Sequence, residues 1–301
     1  MLRWFLSAVV AVSVAPAVPV FAQTPQDVPA VKFEPPTVTV RSTGTGPKRP
    51  LRYKVAAGSK ERIDITMTMS MAMAMEGADE QSMDVPPVRM ALDMDVTDVA
   101  ANGDITYAFT FVEASIDGPG FPPGLLDQLK GAKGTATSSD RGFLKAMAFE
   151  VAQGVNPVLD QLMSSSGIER MSAPLPDEPL GVGAKWDVRQ PVESGGMRLD
   201  QTTTYEITAM DAASVTMAVT MEQRAANQAL TPPGMPPGAE ATLVSMEGTG
   251  NGRITLADGS MIPLSDLAIN GRMTMDVGAE GQNMRMSTRT RMQVTIARGK
   301  R

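Results

Sequence analysis

Two residue types are missing from this chain. Its 301 residues include no cysteine and no histidine. Their absence excludes a disulfide framework, thiol redox chemistry, zinc sites built from these residues and any nucleophile that needs a histidine base. The formal net charge of −6 comes without a long basic block, so nucleic acid is not an expected partner. Walker, dinucleotide-binding and EF-hand patterns are also absent. The sequence therefore predicts a protein that is not an enzyme and carries no cofactor.

Long hydrophobic runs are scarce, and the one that exists lies at the start. A basic residue, Arg3, precedes an apolar run over residues 5–21, and Ala22 follows it. This is the pattern of a signal peptide that is cleaved after the alanine. An uncleaved membrane anchor is the alternative, although Pro16 and Pro19 interrupt the run. No later segment reaches the ~20 apolar residues of a membrane helix. We expect a signal peptide at 1–22, no membrane span after its removal, and export to the periplasm or the extracellular space.

Aromatic residues make up only 4% of the chain, whereas methionine occurs 24 times. So few aromatics disfavour an outer-membrane barrel, which needs aromatic girdles. Many of the methionines fall in an alternating pattern. Over residues 63–75 every odd position is Ile or Met, and every even position is small or polar. Successive side chains of a strand leave opposite faces, so this alternation predicts a long, half-buried β-strand.

Similar alternation recurs along the chain. It covers residues 88–96 and 105–111, which are joined by a turn at Asn102-Gly103, and later 197–209, 215–221, 241–256, 261–277 and 284–296. An Asn-Gly pair between two alternating runs is typical of a β-hairpin. We expect shorter strands near 51–56, 133–138, 143–150 and 184–192, and short helices over 124–130 and 156–171. The predicted fold is mainly β, a large curved antiparallel sheet or half-barrel of about twelve strands, covered by the two helices.

The domain organisation follows from the same patterns. Residues 23–50 carry six prolines around a Ser-Thr-Gly-Thr-Gly stretch, which predicts a flexible tether in which only 37–40 could pair as a strand. Residues 51–301 are expected to form a single β-rich domain. Its parts 51–172 and 180–298 share the order hairpin, Pro-Pro-Gly loop, Gly-Thr strand and tight turn. Two weakly similar halves are one hypothesis, and chance repetition is the other.

The methionines allow three interpretations. Unbranched, polarisable Met fills gaps in a core, so the alternating face can be simple packing. Met-rich faces also adapt to varied apolar ligands, which favours a binding surface. Thioethers select Cu(I), but a copper site would need sulfurs from neighbouring strands, and we expect no metal site. The second interpretation gives the candidate ligand-binding residues, with the last four at the rim of a cavity: Met67, Met69, Met71, Met73, Phe121, Leu125, Leu126 and Met235.

Three sequence segments carry a resemblance to known proteins. They are residues 51–55 with Gly58, the central Asp140-Arg141-Gly142, and residues 176–186, which end in Ala184-Lys185-Trp186. In their order the chain resembles exported bacterial proteins of an uncharacterised family, over about residues 50–298. More loosely, the expected half-barrel is similar to the lipoprotein-localisation carriers. That resemblance implies a concave apolar face that shields acyl chains.

The expected function is therefore that of an exported, non-enzymatic protein. It would bind a lipid, another hydrophobic ligand or a lipidated protein on a Met-rich concave face. The alternative is a structural or envelope-associated interaction protein that has no small ligand and whose methionines are core.

Overall fold

A computed structural model of the chain describes residues 31–77, 79–116, 118, 124–150, 171–194, 197–230, 240–279 and 282–300. Within these ranges the secondary structure consists of sixteen β-strands and one short 3₁₀ helix, with no α-helix. The strands are β1 (Val31–Lys32), β2 (Thr37–Ser42), β3 (Thr45–Arg49), β4 (Lys60–Met75), β5 (Gln81–Val99), β6 (Ile105–Ile116), β7 (Lys133–Ser138), β8 (Leu144–Glu150), β9 (Leu180–Val182), β10 (Lys185–Ser194), β11 (Met197–Met210), β12 (Ser214–Ala225), β13 (Gln228–Leu230), β14 (Glu240–Ala257), β15 (Leu264–Ala279) and β16 (Gln282–Arg298).

Fourteen of these described strands form one antiparallel sheet. Its order is β1-β8-β7-β6-β5-β4-β16-β15-β14-β12-β11-β10-β2, and β13 pairs with β14 beside this path. The path is not closed, because β1 and β2 are its two ends. Strands β3 and β9 pair separately. The prediction of a mainly β protein with a large antiparallel sheet is confirmed.

The sheet curves strongly around one face. Side chains from eight consecutive strands of the path, from β5 to β10, line a single cavity. Laid flat, eight strands would span roughly 34 Å at ~4.8 Å per strand, which is too wide to surround one cavity. We call the face that bounds the cavity the concave face and the opposite face the convex face. On β4 the concave face carries the odd-numbered residues, as the alternation predicts.

A main hydrophobic core fills one end of the concave face. Trp186 is fully buried there and stacks on Tyr205, with ring centroids 5.3 Å apart. Its indole N–H donates to the Pro174 carbonyl at 2.9 Å. The Tyr53 hydroxyl donates to the Ala173 carbonyl and accepts from the Ala173 N–H. Loops around residues 51–53, 171–175 and 261–262 thus close this end of the sheet.

Of the two expected helices, the structure tests only the first. Over 124–130 the structure has only a 3₁₀ turn, Asp127–Leu129. Gly124 and Gly131 flank this segment with positive φ, and a helix this short lacks the hydrogen bonds to stabilise itself. That prediction is wrong. The second expected helix, 156–171, lies outside the described residues except for Met171, which is not helical. No described helix is long and apolar enough to cross a membrane.

The expected tether, 23–50, is described from residue 31 onwards. There β2 pairs with β10 and β3 pairs with β9. Arg41 on β2 also binds the buried Asp187 of β10 through its guanidinium. The described part of this segment is therefore held to the body by backbone hydrogen bonds and an ion pair. The loop before β4 contains the segment 51–56, which was expected to be a strand and is irregular.

Candidate functional site

The candidate site is the cavity on the concave face, which has a volume of about 440 Å³. This lies within the range of ~300–1,000 Å³ typical of ligand sites. Its lining is mostly apolar and unusually rich in methionine. The lining methionines are Met67, Met90, Met171, Met197, Met221, Met246, Met273 and Met292.

Strand register orders the lining into rows that run across the sheet. The deepest row includes Ile65 on β4, paired with Ile296 on β16, and Ser265 on β15, paired with Ile254 on β14. These residues are buried and, apart from Ser265, belong to the main core. The floor of the cavity is therefore the upper surface of that core. The Ser265 hydroxyl is buried at the floor and has no hydrogen-bond partner.

The opposite end of the concave face is open and carries exposed methionines. Met73, Met75, Met83 and Met284 are 36–55% exposed, whereas Met90 on the same face is 4% exposed. Nearby, Leu230, Ala241 and Leu243 form a second, smaller core, and other methionines pack against it. The four exposed methionines form an apolar rim beyond the mouth of the cavity. We call it the methionine rim (Met73, Met75, Met83 and Met284).

A chain of polar side chains crosses the cavity wall near its mouth. The Gln223 amide donates to the Gln201 carbonyl oxygen at 2.8 Å, and the Gln201 amide donates to the Thr203 hydroxyl at 3.2 Å. Gln201 and Thr203 are more than nine-tenths buried. Buried polar groups require such partners, because an unpaired one loses its bonds to water without replacement.

Charge is almost absent from the lining. The described residues that line the cavity include no carboxylate. Burial raises the pKa of Tyr205 above its ordinary value, so its hydroxyl stays protonated at neutral pH. Arg272 borders the cavity but alternates with Gly271 and Met273 on β15, which directs its side chain to the convex face. The described lining suits an uncharged, largely apolar ligand.

The structure places the eight candidate residues in different environments, and two of them lie outside the described residues. Met67 lines the cavity. Met69, Met71 and Met73 lie on the same face beside lining residues, since they pair with Met292, Thr290 and Thr288 on β16. Met69 and Met71 extend the lined surface toward the methionine rim, to which Met73 belongs. The structure places Leu126 in the main core at 2% exposed, with Leu125 packed against it, and neither lies at the cavity. Phe121 and Met235 lie outside the described residues.

Most of the residues that build the cavity were missed by sequence reasoning. Gln201, Gln223, Met221 and Met292 sit in strands whose existence was predicted, but their shared face depends on pairing across strands. One signal was available. Residues 248–252 read Gly-Thr-Gly-Asn-Gly, with a glycine at every second position of β14. Alternating glycines in a strand indicate close approach or space on one face.

The copper interpretation has one supporting feature. Met75, Met286 and Met275 are direct neighbours across β4, β16 and β15, so three sulfurs can come from adjacent strands as that hypothesis requires. Among the described residues there is no group of three or more His, Cys, Asp or Glu side chains placed to hold a metal ion. A thioether-only copper site stays a hypothesis.

Comparison with known proteins leaves the family open. No family model and no curated protein sequence matches this chain. A search of solved structures returns OmpT, an outer membrane protein of Vibrio cholerae, at 7% identity over 80% of this chain and 100% of that chain, with a TM-score of 0.17. A score this low carries no argument about fold or location. The resemblance to exported bacterial proteins therefore stays a prediction.

Proposed function

We propose that this protein binds a hydrophobic ligand with a long apolar chain in the concave cavity and releases it unchanged. The observation that carries the proposal is a cavity of about 440 Å³ on a curved sheet, with eight methionines in its lining. Methionine side chains are flexible and polarisable, so they can pack against apolar chains of differing shape. A lipid, or the acyl group of a lipidated protein, has this chemistry.

The predicted compartment supports the same function. An exported protein in the periplasm or outside the cell meets lipids that are insoluble in water, and a concave apolar face would shield their chains. Cleavage after Ala22 would leave a mature protein that begins at Gln23. Fractionation of the host and sequencing of the mature N-terminus test that location independently of any ligand.

A pair of variants on β15 tests ligand binding. Gly271 lines the cavity, and a Cβ added there would have the Glu247 carbonyl oxygen, at 4.0 Å, as its nearest neighbour. Gly271→Phe should fill the cavity and abolish binding of a fluorescent apolar dye. Asn270→Phe adds the same ring one residue away on the convex face, because successive residues of a strand face opposite sides. It should leave dye binding unchanged.

The outcomes separate the two functional hypotheses. Dye binding that is lost in Gly271→Phe and kept in Asn270→Phe, together with an acyl species on the protein purified from its own host, supports the proposal. A wild-type protein that takes up neither dye nor lipid would contradict it. That result would favour a structural or envelope-associated protein without a small ligand.

A further inference from the structure

The geometry points to an amphiphilic ligand whose uncharged polar group binds near the cavity mouth while its apolar chain extends to the floor. This inference rests on the proposed function and adds the chemical class of the ligand. It is carried by a polar belt, which we define as the row Gln201, Gln223, Gly248, Gly271 and Thr290.

The belt is a single register row across five neighbouring strands. Gln201 on β11 pairs with Gln223 on β12, which pairs with Gly248 on β14. Gly248 pairs with Gly271 on β15, which pairs with Thr290 on β16. Three members of this row are polar, namely Gln201, Gln223 and Thr290, and the two glycines have no side chain. At Gly271, which lines the cavity, the backbone itself faces it.

Apolar rows flank the belt on its inner side. One step deeper on the same strands lie Met221, Ile269 and Met292, and a further step leads to Val219, Leu267 and Val294. The six residue steps from Thr290 to Ile296 span roughly 20 Å along β16. A ligand that reaches from belt to floor is thus long, and below the belt it meets mostly apolar side chains, with the Thr203 and Ser265 hydroxyls as polar exceptions.

The hydrogen bonds that link Gln223, Gln201 and Thr203 leave an acceptor at one end of the chain and a donor at the other, besides the second N–H of each amide. The chain runs from the Gln223 amide through the Gln201 amide to the Thr203 hydroxyl. It begins with the Gln223 carbonyl oxygen, which can accept a further bond, and ends with the Thr203 O–H, which can donate one. A ligand group that both donates and accepts, such as a hydroxyl or a primary amide, completes this chain at either end.

Glycine at position 248 makes room for this arrangement. A Cβ there would stand 2.7 Å from the Gln223 side-chain oxygen, and a Cβ at Gly250 would stand 2.9 Å from the Met221 methyl group. Both distances are shorter than van der Waals contact. The glycines of β14 thus let Gln223 and Met221 lie across the cavity wall.

The surroundings of the belt favour a neutral group over an ion. Arg272, Arg289 and Arg291 alternate with belt positions and so belong to the convex face. Arg289 is bound there by Glu80. The described residues of the belt row carry no charged side chain, so an ionised head group bound among them would lose its hydration without a compensating partner.

Competition against a bound fluorescent apolar dye tests the inference with three ligands of equal chain length. Dodecanamide donates and accepts, N,N-dimethyldodecanamide only accepts, and dodecanoate is an anion. The wild-type protein should bind dodecanamide about fivefold more tightly than it binds the dimethyl analogue or dodecanoate. This is the factor expected of one net hydrogen bond. The double variant Gln201→Met, Gln223→Met keeps the side-chain volume and should remove the preference for dodecanamide over its dimethyl analogue. Gln293→Met, on the convex face, should keep it.

The results distinguish the inference from the proposed function. If all three ligands displace the dye equally, or if dodecanoate binds most tightly, the amphiphile inference is overturned while the cavity remains a binding site. If the dye never binds, the proposed function itself fails.

Gly248→Ala serves as a second variant, since its methyl group displaces Gln223 without removing an amide. It should weaken dodecanamide binding and leave the dimethyl analogue unaffected, and an unchanged preference would count against the belt.

Discussion

Met71 of β4 and Thr290 of β16 are direct cross-strand partners on the concave face, while Ala72 pairs with Arg289 on the convex face. Burial along this face of β4 falls from Ile65 at 3% exposed, through half-buried Met67, Met69 and Met71, to Met73 at 36%. The same polar substitution should therefore have a graded cost along one strand.

Aspartate substitutions at odd positions of β4 measure that gradient. Ile65→Asp places an unpaired charge in the main core and should cost several kcal/mol, the largest loss of the series. Met73→Asp lies at the open end and should cost less than ~1 kcal/mol. Thr68→Asp, on the exposed convex face, is the control and should cost equally little. Urea unfolding of each variant checks the order, and equal losses at 65, 68 and 73 would contradict the assigned faces.

Alternation predicted the strands well because it depends on neighbours along the chain. The period-two patterns over 63–75 and 284–296 correspond to β4 and β16, and Asn102-Gly103 does turn between β5 and β6. The cavity could not be predicted in the same way. Its polar belt exists only because Gln223 and Gly248, which are far apart in sequence, share a register. Leu126 was assigned to the rim because an apolar loop residue gives no sign of which surface buries it.

The ion pair between Arg41 and Asp187 should anchor β2 to the body. Asp187 is 3% exposed, and its carboxylate accepts from the Arg41 guanidinium at 2.7 Å and from the Thr204 hydroxyl at 2.8 Å. Arg41→Ala leaves this buried carboxylate with the hydroxyl alone and should cost about 2 kcal/mol.

Lys48→Ala is the matched control for Arg41→Ala, because Lys48 makes only an exposed bond to the Thr43 hydroxyl. Its effect should stay below ~0.5 kcal/mol. Chemical unfolding measures both free energies. Equal stability of the two variants would show that residues 37–42 contribute little to the folded body.

All three tyrosines of the chain should resist ionisation in the folded protein. Burial raises the pKa of Tyr107 to about 12 and raises the pKa values of Tyr53 and Tyr205 further above their ordinary value. In the unfolded chain these groups should titrate near ~10. The unfolded state therefore loses protons first, so this contribution to stability is intact below pH ~10 and declines as the pH rises toward the folded pKa values.

Tyrosinate absorbance followed against pH checks this expectation. The native protein should show no tyrosinate step near pH ~10, whereas the protein in denaturant should show one that corresponds to all three residues. Tyr107→Phe should reduce the alkaline loss of stability. A native protein that titrates like the unfolded one would place the tyrosines in water.

Mild oxidation by peroxide should distinguish the methionine rim from the core. Met83 and Met284 are 55% and 50% exposed, whereas Met94 and Met217 are at most 2% exposed. Rim sulfurs should become sulfoxides first, since peroxide must reach the thioether. Peptide mass mapping over time gives the order. Oxidation of Met217 as early as Met83 would mean that the main core is open to solvent.

The central claim, that the concave face holds an apolar ligand chain, is tested most directly at the methionine methyl groups. The methyl resonances of isotopically labelled methionines can be assigned by single substitutions and followed as dodecanamide is added. The resonances of Met67, Met221 and Met292, which line the cavity, should shift together and saturate. Those of the buried Met94 and Met217, which do not line it, should stay in place. Shifts confined to Met83 and Met284 at the rim, or none at all, would contradict the claim.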